Sequence, residues 1–199
     1  MSNTSSFTYA QVGAILHDIG MVSEEKLRSV LEEAADYAHD EVDQYEAADA
    51  LEEFGVAVSV HADSIDSIYS DYAVLLEEAS EVAGNKVAIT NVRLIAGEGG
   101  FDGFMGDRFD TLKFERDGKL VTIGVEHFSD RHYNPGAACR AIAETAADDD
   151  PRSWHEIVFE PHDGDTFVVL ATPEQKEALR ERLGFRYLSD PEFGDPGPE

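Results

Sequence analysis

Residues 109–127, FDTLKFERDGKLVTIGVEH, admit one good pairing. Asp117-Gly118 suits a two-residue type I′ turn, whose central positions both need positive φ and whose twist matches the flanking strands. Counting outward sets Phe114 opposite Val121 and Leu112 opposite Ile123. Leu112, Phe114, Val121, Ile123 and Val125 then share one face; Thr111, Lys113, Glu115, Thr122 and Glu126 share the other. A slip of one residue would turn the whole apolar set toward water. A half-buried antiparallel hairpin in the middle of a small sheet is therefore expected, and such a sheet needs a cover.

The rest of the chain supplies that cover. Thr8 with Gln11 forms a capping-box signature, and Val12, Ile15, Leu16 and Ile19 follow as one stripe before Gly20. Ser23 opens a second helix with Leu27, Val30, Leu31, Ala34 and Ala38 at helical spacing. A weaker pattern, Val42, Tyr45, Ala48 and Leu51, extends it beyond a kink near His39-Asp40. Residues 55–60, GVAVSV, fit either a short strand or a packed connector. Ser64 to Ala83 shows the strongest helical stripe, ended by Gly84-Asn85. From Lys86 the pattern turns to strands: 87–95 with a bulge near Asn91, the hairpin, 156–160 and 166–171, with an edge strand at 185–188. Asn134-Pro135 and Thr172-Pro173 start two further helices. The expected fold class is α+β: N-terminal helices, then a mostly antiparallel sheet of about five strands with two packed helices. The expected division is an acidic helical region at 1–85, a sheet domain at 86–188 and a loose tail at 189–199.

Charge is the outlying property. The 199 residues carry 42 acidic side chains against 15 lysines and arginines, a formal net charge of −27. A small domain needs a net charge of only about 2–8 for solubility, and the excess repels itself. Its placement is lopsided. Residues 1–85 hold 19 acids and two bases, Lys26 and Arg28; between Ser29 and Asn85 there are 16 acids and no lysine or arginine. Nucleic-acid binding, which needs a basic footprint, is excluded for that region. No apolar run reaches the 18 residues of a membrane span, and the N-terminus lacks a basic stretch leading an apolar one. The lone cysteine, Cys139, rules out an internal disulfide and a multi-thiolate metal site. A cytoplasmic protein is the expectation.

LHDIG at 16–20 resembles the His-Asp signature of the HD phosphohydrolase superfamily, which implies metal binding through a His, the His-Asp pair and a later Asp. His17 and Asp18 match the pair, but residues 1–16 contain no upstream His. The segment reads better as a helix end capped by His17 and Gly20. Glu126, His127, Asp130, Arg131 and His132 form the densest polar group, yet strand alternation sends Glu126 and His127 to opposite faces. The glycine-rich stretch 96–108 precedes a strand rather than a helix and carries Glu98, Asp102 and Asp107, so phosphate binding is disfavoured. Its Phe101, Phe104 and Met105 could enter a partner or fold back over the core. Cys139 sits on an Ala-rich face as a small core residue, and Trp154 anchors packing.

The strand–hairpin–helix–strand–helix pattern of residues 86–187 resembles the C-terminal part of small acidic immunity-type proteins of bacterial toxin systems. That resemblance covers about half the chain and implies neutralisation of a partner. Together with the charge, it leads to an acidic binding or inhibitory protein, immunity-type or nucleic-acid-mimic, that meets a basic protein: a toxin or a nucleic-acid-binding enzyme. The expected contact residues are Glu32, Glu33, Asp36, Asp40, Asp43, Glu46, Glu77, Glu78, Glu81, Phe101, Phe104 and Met105, with no cofactor and no catalytic role. The alternatives are salt adaptation of a cytosolic protein, or a small metal-dependent hydrolase built on His17/Asp18 or Glu126/His127/His132.

Overall fold

The computed structural model describes residues 7–61, 65–101, 108–158 and 165–193. In chain order these form β1 (Phe7–Thr8), α1 (Tyr9–Asp18), α2 (Glu24–Glu33), β2 (Glu41–Val42), α3 (Gln44–Glu53), β3 (Ala57–Val60) and α4 (Ile68–Val82). There follow β4 (Ile89–Ile95), β5 (Arg108–Arg116), β6 (Lys119–His127), α5 (Pro135–Ala143), β7 (Ser153–Val158), β8 (Thr166–Ala171), α6 (Pro173–Leu183) and β9 (Arg186–Tyr187). The fold is α+β, and its strand pairs are antiparallel.

Helix starts follow local chemistry. Thr8 and Gln11 close a capping box on α1, Ser23 accepts from Lys26 N, Asn134 accepts from Ala137 N, and Thr172 with Gln175 closes a second box on α6. A third box, Asp43 with Glu46, starts α3 as a helix of its own. The continuation expected past His39-Asp40 is thus interrupted: Glu41–Val42 leave the helix to pair with Phe7–Thr8 before Asp43 caps the next one. Gly55, with φ 73°, ends α3 and reverses the chain into β3; Val56 N donates to Leu51 O at 3.0 Å across the turn.

The hairpin takes the register counted from its turn. Phe114 pairs with Val121 and Leu112 with Ile123, and Asp117 and Gly118 hold φ 51° and 75°. β4 joins on the far side of β5, with a bulge between Thr90 and Arg93 where Asn91 has φ 55°. The strands expected in one sheet of about five are divided: β4-β5-β6 form one sheet and β3-β8-β7-β9 another, with β1-β2 a short ribbon. The division follows from burial. β8 is buried at every residue, so its sheet needs cover on both faces. β3 pairs with β8, and this joins residues 57–60 to 166–171 across the soft boundary expected near 84–86.

Alternation sorts the two faces. Ala57, Phe167, Val169 and Ile157 point into a core shared with α1, α2, α3 and α6. Val58, Val60 and Val168 point into a second core built with α4, α5, β5 and β6. The order is therefore helices, four-stranded sheet, α4 and α5, then the hairpin sheet. Residues beyond β9 remain attached as far as Asp190, whose carboxylate takes two hydrogen bonds from Arg180 at 2.6 and 2.7 Å and one from Tyr187 N.

Candidate partner-binding face

The expected contact acids are all exposed, and they fall on three elements. Glu32, Glu33 and Asp36 occupy the end of α2 and the turn after it; Asp40, Asp43 and Glu46 lie around the start of α3; Glu77, Glu78 and Glu81 line α4. Asp43 and Glu46 also have a local task. Asp43 Oδ1 accepts from Glu46 N at 2.9 Å, and Glu46 Oε2 accepts from Asp43 N at 2.8 Å.

Residues outside the expected set join these groups. Glu53 of α3 accepts from Tyr37 OH at 3.2 Å and also from Tyr9 OH, which ties α1, the turn after α2 and α3 together. Glu33 and Asp49 lie close enough to push the Tyr37 phenol further upward, after burial and Glu53. The Asp49 carboxyl is raised by burial and then by Glu53, with Asp165 and Glu46 adding to it and His61 opposing. The Glu78 carboxyl is raised by burial and then by Glu52, Glu81 and Glu77, again against His61. Glu52 of α3 and Glu78 and Glu81 of α4 line one groove at the edge of β3. Acids of α2, α3 and α4 thus connect, through Tyr37 and the β3 edge, into one electronegative region. Asp49, Glu52 and Glu53 could have been found from sequence: with Glu46 they occupy the face of α3 opposite its buried Ala47, Ala50 and Leu51.

The region lacks internal neutralisation. Among the described residues, no acid from Glu24 to Glu81 forms an ion pair, whereas Lys86, Arg108, Arg116, Arg152, Lys176, Arg180 and Arg182 all do. Their acidic partners are Asp18 or residues from Asp110 onward.

The hairpin sheet holds a different polar group. Asp110 and His127 lie on the buried face of β5 and β6, where Arg108 pairs directly with His127. Asp110 Oδ1 accepts from Arg108 Nε and from Gly97 N, both at 2.7 Å. Asp110 Oδ2 accepts from Arg108 at 2.8 Å and from His127 Nδ1 at 2.9 Å. His127 Nε2 then accepts from Tyr72 OH at 3.0 Å. Burial pushes the Asp110 carboxyl up, but Arg108, the Gly97 amide and His127 outweigh it and hold it below the ordinary value. Burial also lowers His127, against the pull of Asp110, so the imidazole is neutral. Phe101 lies over the Arg108 guanidinium at 4.0 Å and packs against the second core, as a cover for this group. Phe104 and Met105 lie outside the described residues.

This arrangement separates the other candidates. Glu126 is exposed while His127 is buried with both ring nitrogens engaged. The His132 ring stacks on Phe128 at 5.2 Å instead. His17 Nδ1 bonds the Val22 carbonyl at 3.1 Å, beyond the end of its helix, and Asp18 pairs with Arg182 at 3.1 Å. Among the described residues, no group of three or more His, Cys, Asp or Glu side chains is placed to hold a metal ion. Cys139 is buried, which pushes its thiol upward, and Trp154 Nε1 donates to Thr145 at 3.2 Å against the second core. No described helix is long and apolar enough to cross a membrane. Comparison with protein-family models, curated proteins and solved structures gives no match.

Proposed function

We propose that this chain is an acidic binding protein whose α2–α3–α4 face covers a cationic surface of a partner protein. The carrying observation is the split in ion pairing: among the described residues the acids from Glu24 to Glu81 have no Lys or Arg partner, while Asp110, Glu144, Asp148, Asp150, Glu177 and Asp190 do. Unpaired like charges repel, so their concentration in one region costs stability that a basic partner would recover on binding. A toxin or a nucleic-acid-binding enzyme with exposed lysines and arginines is the matching class. Encounter would be steered by the field and weakened by salt.

The test is affinity capture with wild type and a Glu32→Gln/Glu33→Gln/Asp36→Asn variant, at about 50 mM and about 500 mM NaCl, either side of the range where exposed charges are screened. A basic protein held by wild type at low salt, released at high salt and lost from the variant is expected. Retention indifferent to both salt and substitution would sink the reading. Salt adaptation is the rival account, supported by five lysines against ten arginines. It requires that the chain refold only in molar salt.

A further inference from the structure

We infer that the outer face of the hairpin sheet is a self-association surface, on which a second copy of this chain packs face to face about a two-fold axis that crosses the strands at Thr111. Such pairing is independent of the acidic-face reading and concerns the layer farthest from α2 and α3. The inner face of β4, β5 and β6 is filled by the second core, where Leu112, Phe114, Ile123 and Val125 are buried. The outer face stands in water: Phe109 is 70% exposed, Leu120 62%, Phe128 58% and Ile95 43%. Large apolar side chains gathered in water on one sheet mark a contact surface.

The register selects the occupant. Across this face Lys113 stands between Arg93 and Thr122, Thr111 between Ile95 and Gly124, and Phe109 beside Glu126. Glu115 and Leu120 form the row nearest the turn, and Phe128 lies just past the other end of β6. A two-fold axis along the Thr111 row makes the face its own complement. Lys113 then meets Phe109 of the other copy with Glu126 beside it, and Leu120 meets Phe128. The cation lies over an aromatic ring and next to a carboxylate, and the apolar ends cover each other. An isologous contact makes each of these pairings twice. Gly124 keeps the middle of the face low: a Cβ there would meet nothing within 4 Å, which leaves room for the Phe109 ring of the other copy. Charge points the same way. At −27 per chain, two copies repel unless they meet on a balanced surface. This one sets Arg93 and Lys113 against Glu115 and Glu126 and keeps α2 and α3 on the far side of both cores. A face three strands wide, about 14 Å, and roughly seven residues long, about 24 Å, belongs to the weak, transient class of interfaces.

The test is sedimentation equilibrium of the full chain from about 10 μM to about 1 mM in about 150 mM NaCl, where exposed charges more than roughly 8 Å apart are screened. A rise in mass toward that of a dimer is expected. Phe109→Ser and Lys113→Glu should each weaken the dimer at least about tenfold. Phe109 is mostly exposed, so Phe109→Ser should leave the urea midpoint near that of wild type, which separates lost pairing from lost folding. Glu126→Lys alone should weaken the dimer too. Lys113→Glu/Glu126→Lys, whose exchanged charges still meet across the axis, should pair at least about fivefold tighter than either single variant. A chain that stays monomeric to about 1 mM, a dimer indifferent to Phe109→Ser, or a double exchange no tighter than its single variants would overturn this contact.

Discussion

Asp110 holds a charged guanidinium and a neutral imidazole at once. Its side chain is wholly buried, and it accepts from Arg108, Gly97 and His127. Asp110→Asn keeps the shape but strands Arg108 without a counter-charge, at a cost of about 3–5 kcal/mol. Urea unfolding would show this as a lower midpoint with an unchanged slope. The same group predicts how stability responds to acid. An unfolded histidine titrates near about 6.5, and His127 is held below that by burial. As pH falls, the unfolded chain takes the proton first. Stability from His127 is thus complete above about pH 6.5 and is lost as pH falls through the depressed folded value. Asp110 is also depressed, so its share persists above about pH 4 and is lost further down. The urea-midpoint loss on His127→Gln should shrink between about pH 7 and about pH 5, a difference that cancels the depressed His155 and the raised Asp49 and Glu78 carboxyls; a loss that stays constant there would contradict a buried neutral His127. The inward phase of Asp110 and His127 was readable from alternation with Leu112 and Val125. Their mutual bonding was not, because Arg108 lay in the glycine-rich stretch rather than on the strand, and Tyr72 comes from a distant helix.

At the scale of elements, local chemistry carried most of the information. The Asp117-Gly118 turn sets the hairpin register, and the caps at Thr8, Ser23, Asn134 and Thr172 start helices where their side chains predict. The Asp43 box is hidden in the sequence because Val42, Tyr45, Ala48 and Leu51 continue the spacing of the helix before it. Asp43 therefore serves both as a cap and as a surface charge, and two substitutions separate these roles. Asp43→Ala should cost about 1 kcal/mol, while Asp43→Ser, which retains the acceptor, should stay within about 0.5 kcal/mol of wild type. Thermal unfolding checks the difference; equal losses would mean that charge rather than capping matters at this position. Strand partners were the harder inference. β3 and β8 are more than a hundred residues apart, and the alternation in 55–60 says which faces are apolar without naming the neighbour.

For the whole molecule, the question is whether the acid-rich side is a burden relieved by a partner or a requirement for folding. Self-repulsion among exposed carboxylates is screened over roughly 8 Å at physiological salt and roughly 3 Å at 1 M. Under the binding reading, the chain folds at low salt. Its melting temperature rises as NaCl is added to a few tenths molar, then flattens as screening saturates. Glu32→Gln/Glu33→Gln/Asp36→Asn should raise the melting temperature at low salt, because three like charges are removed from a region where Lys26 and Arg28 face 19 acids. That gain should vanish near 1 M, where wild type is already screened. Salt adaptation predicts the opposite course: wild type unfolded at low salt, stabilisation that keeps rising into the molar range, and no benefit from the substitutions. Melting curves of the two proteins across one salt series distinguish the accounts. A variant that melts below wild type at low salt would mean that Glu32, Glu33 and Asp36 stabilise the fold themselves, and that this region is no surface held ready for a partner.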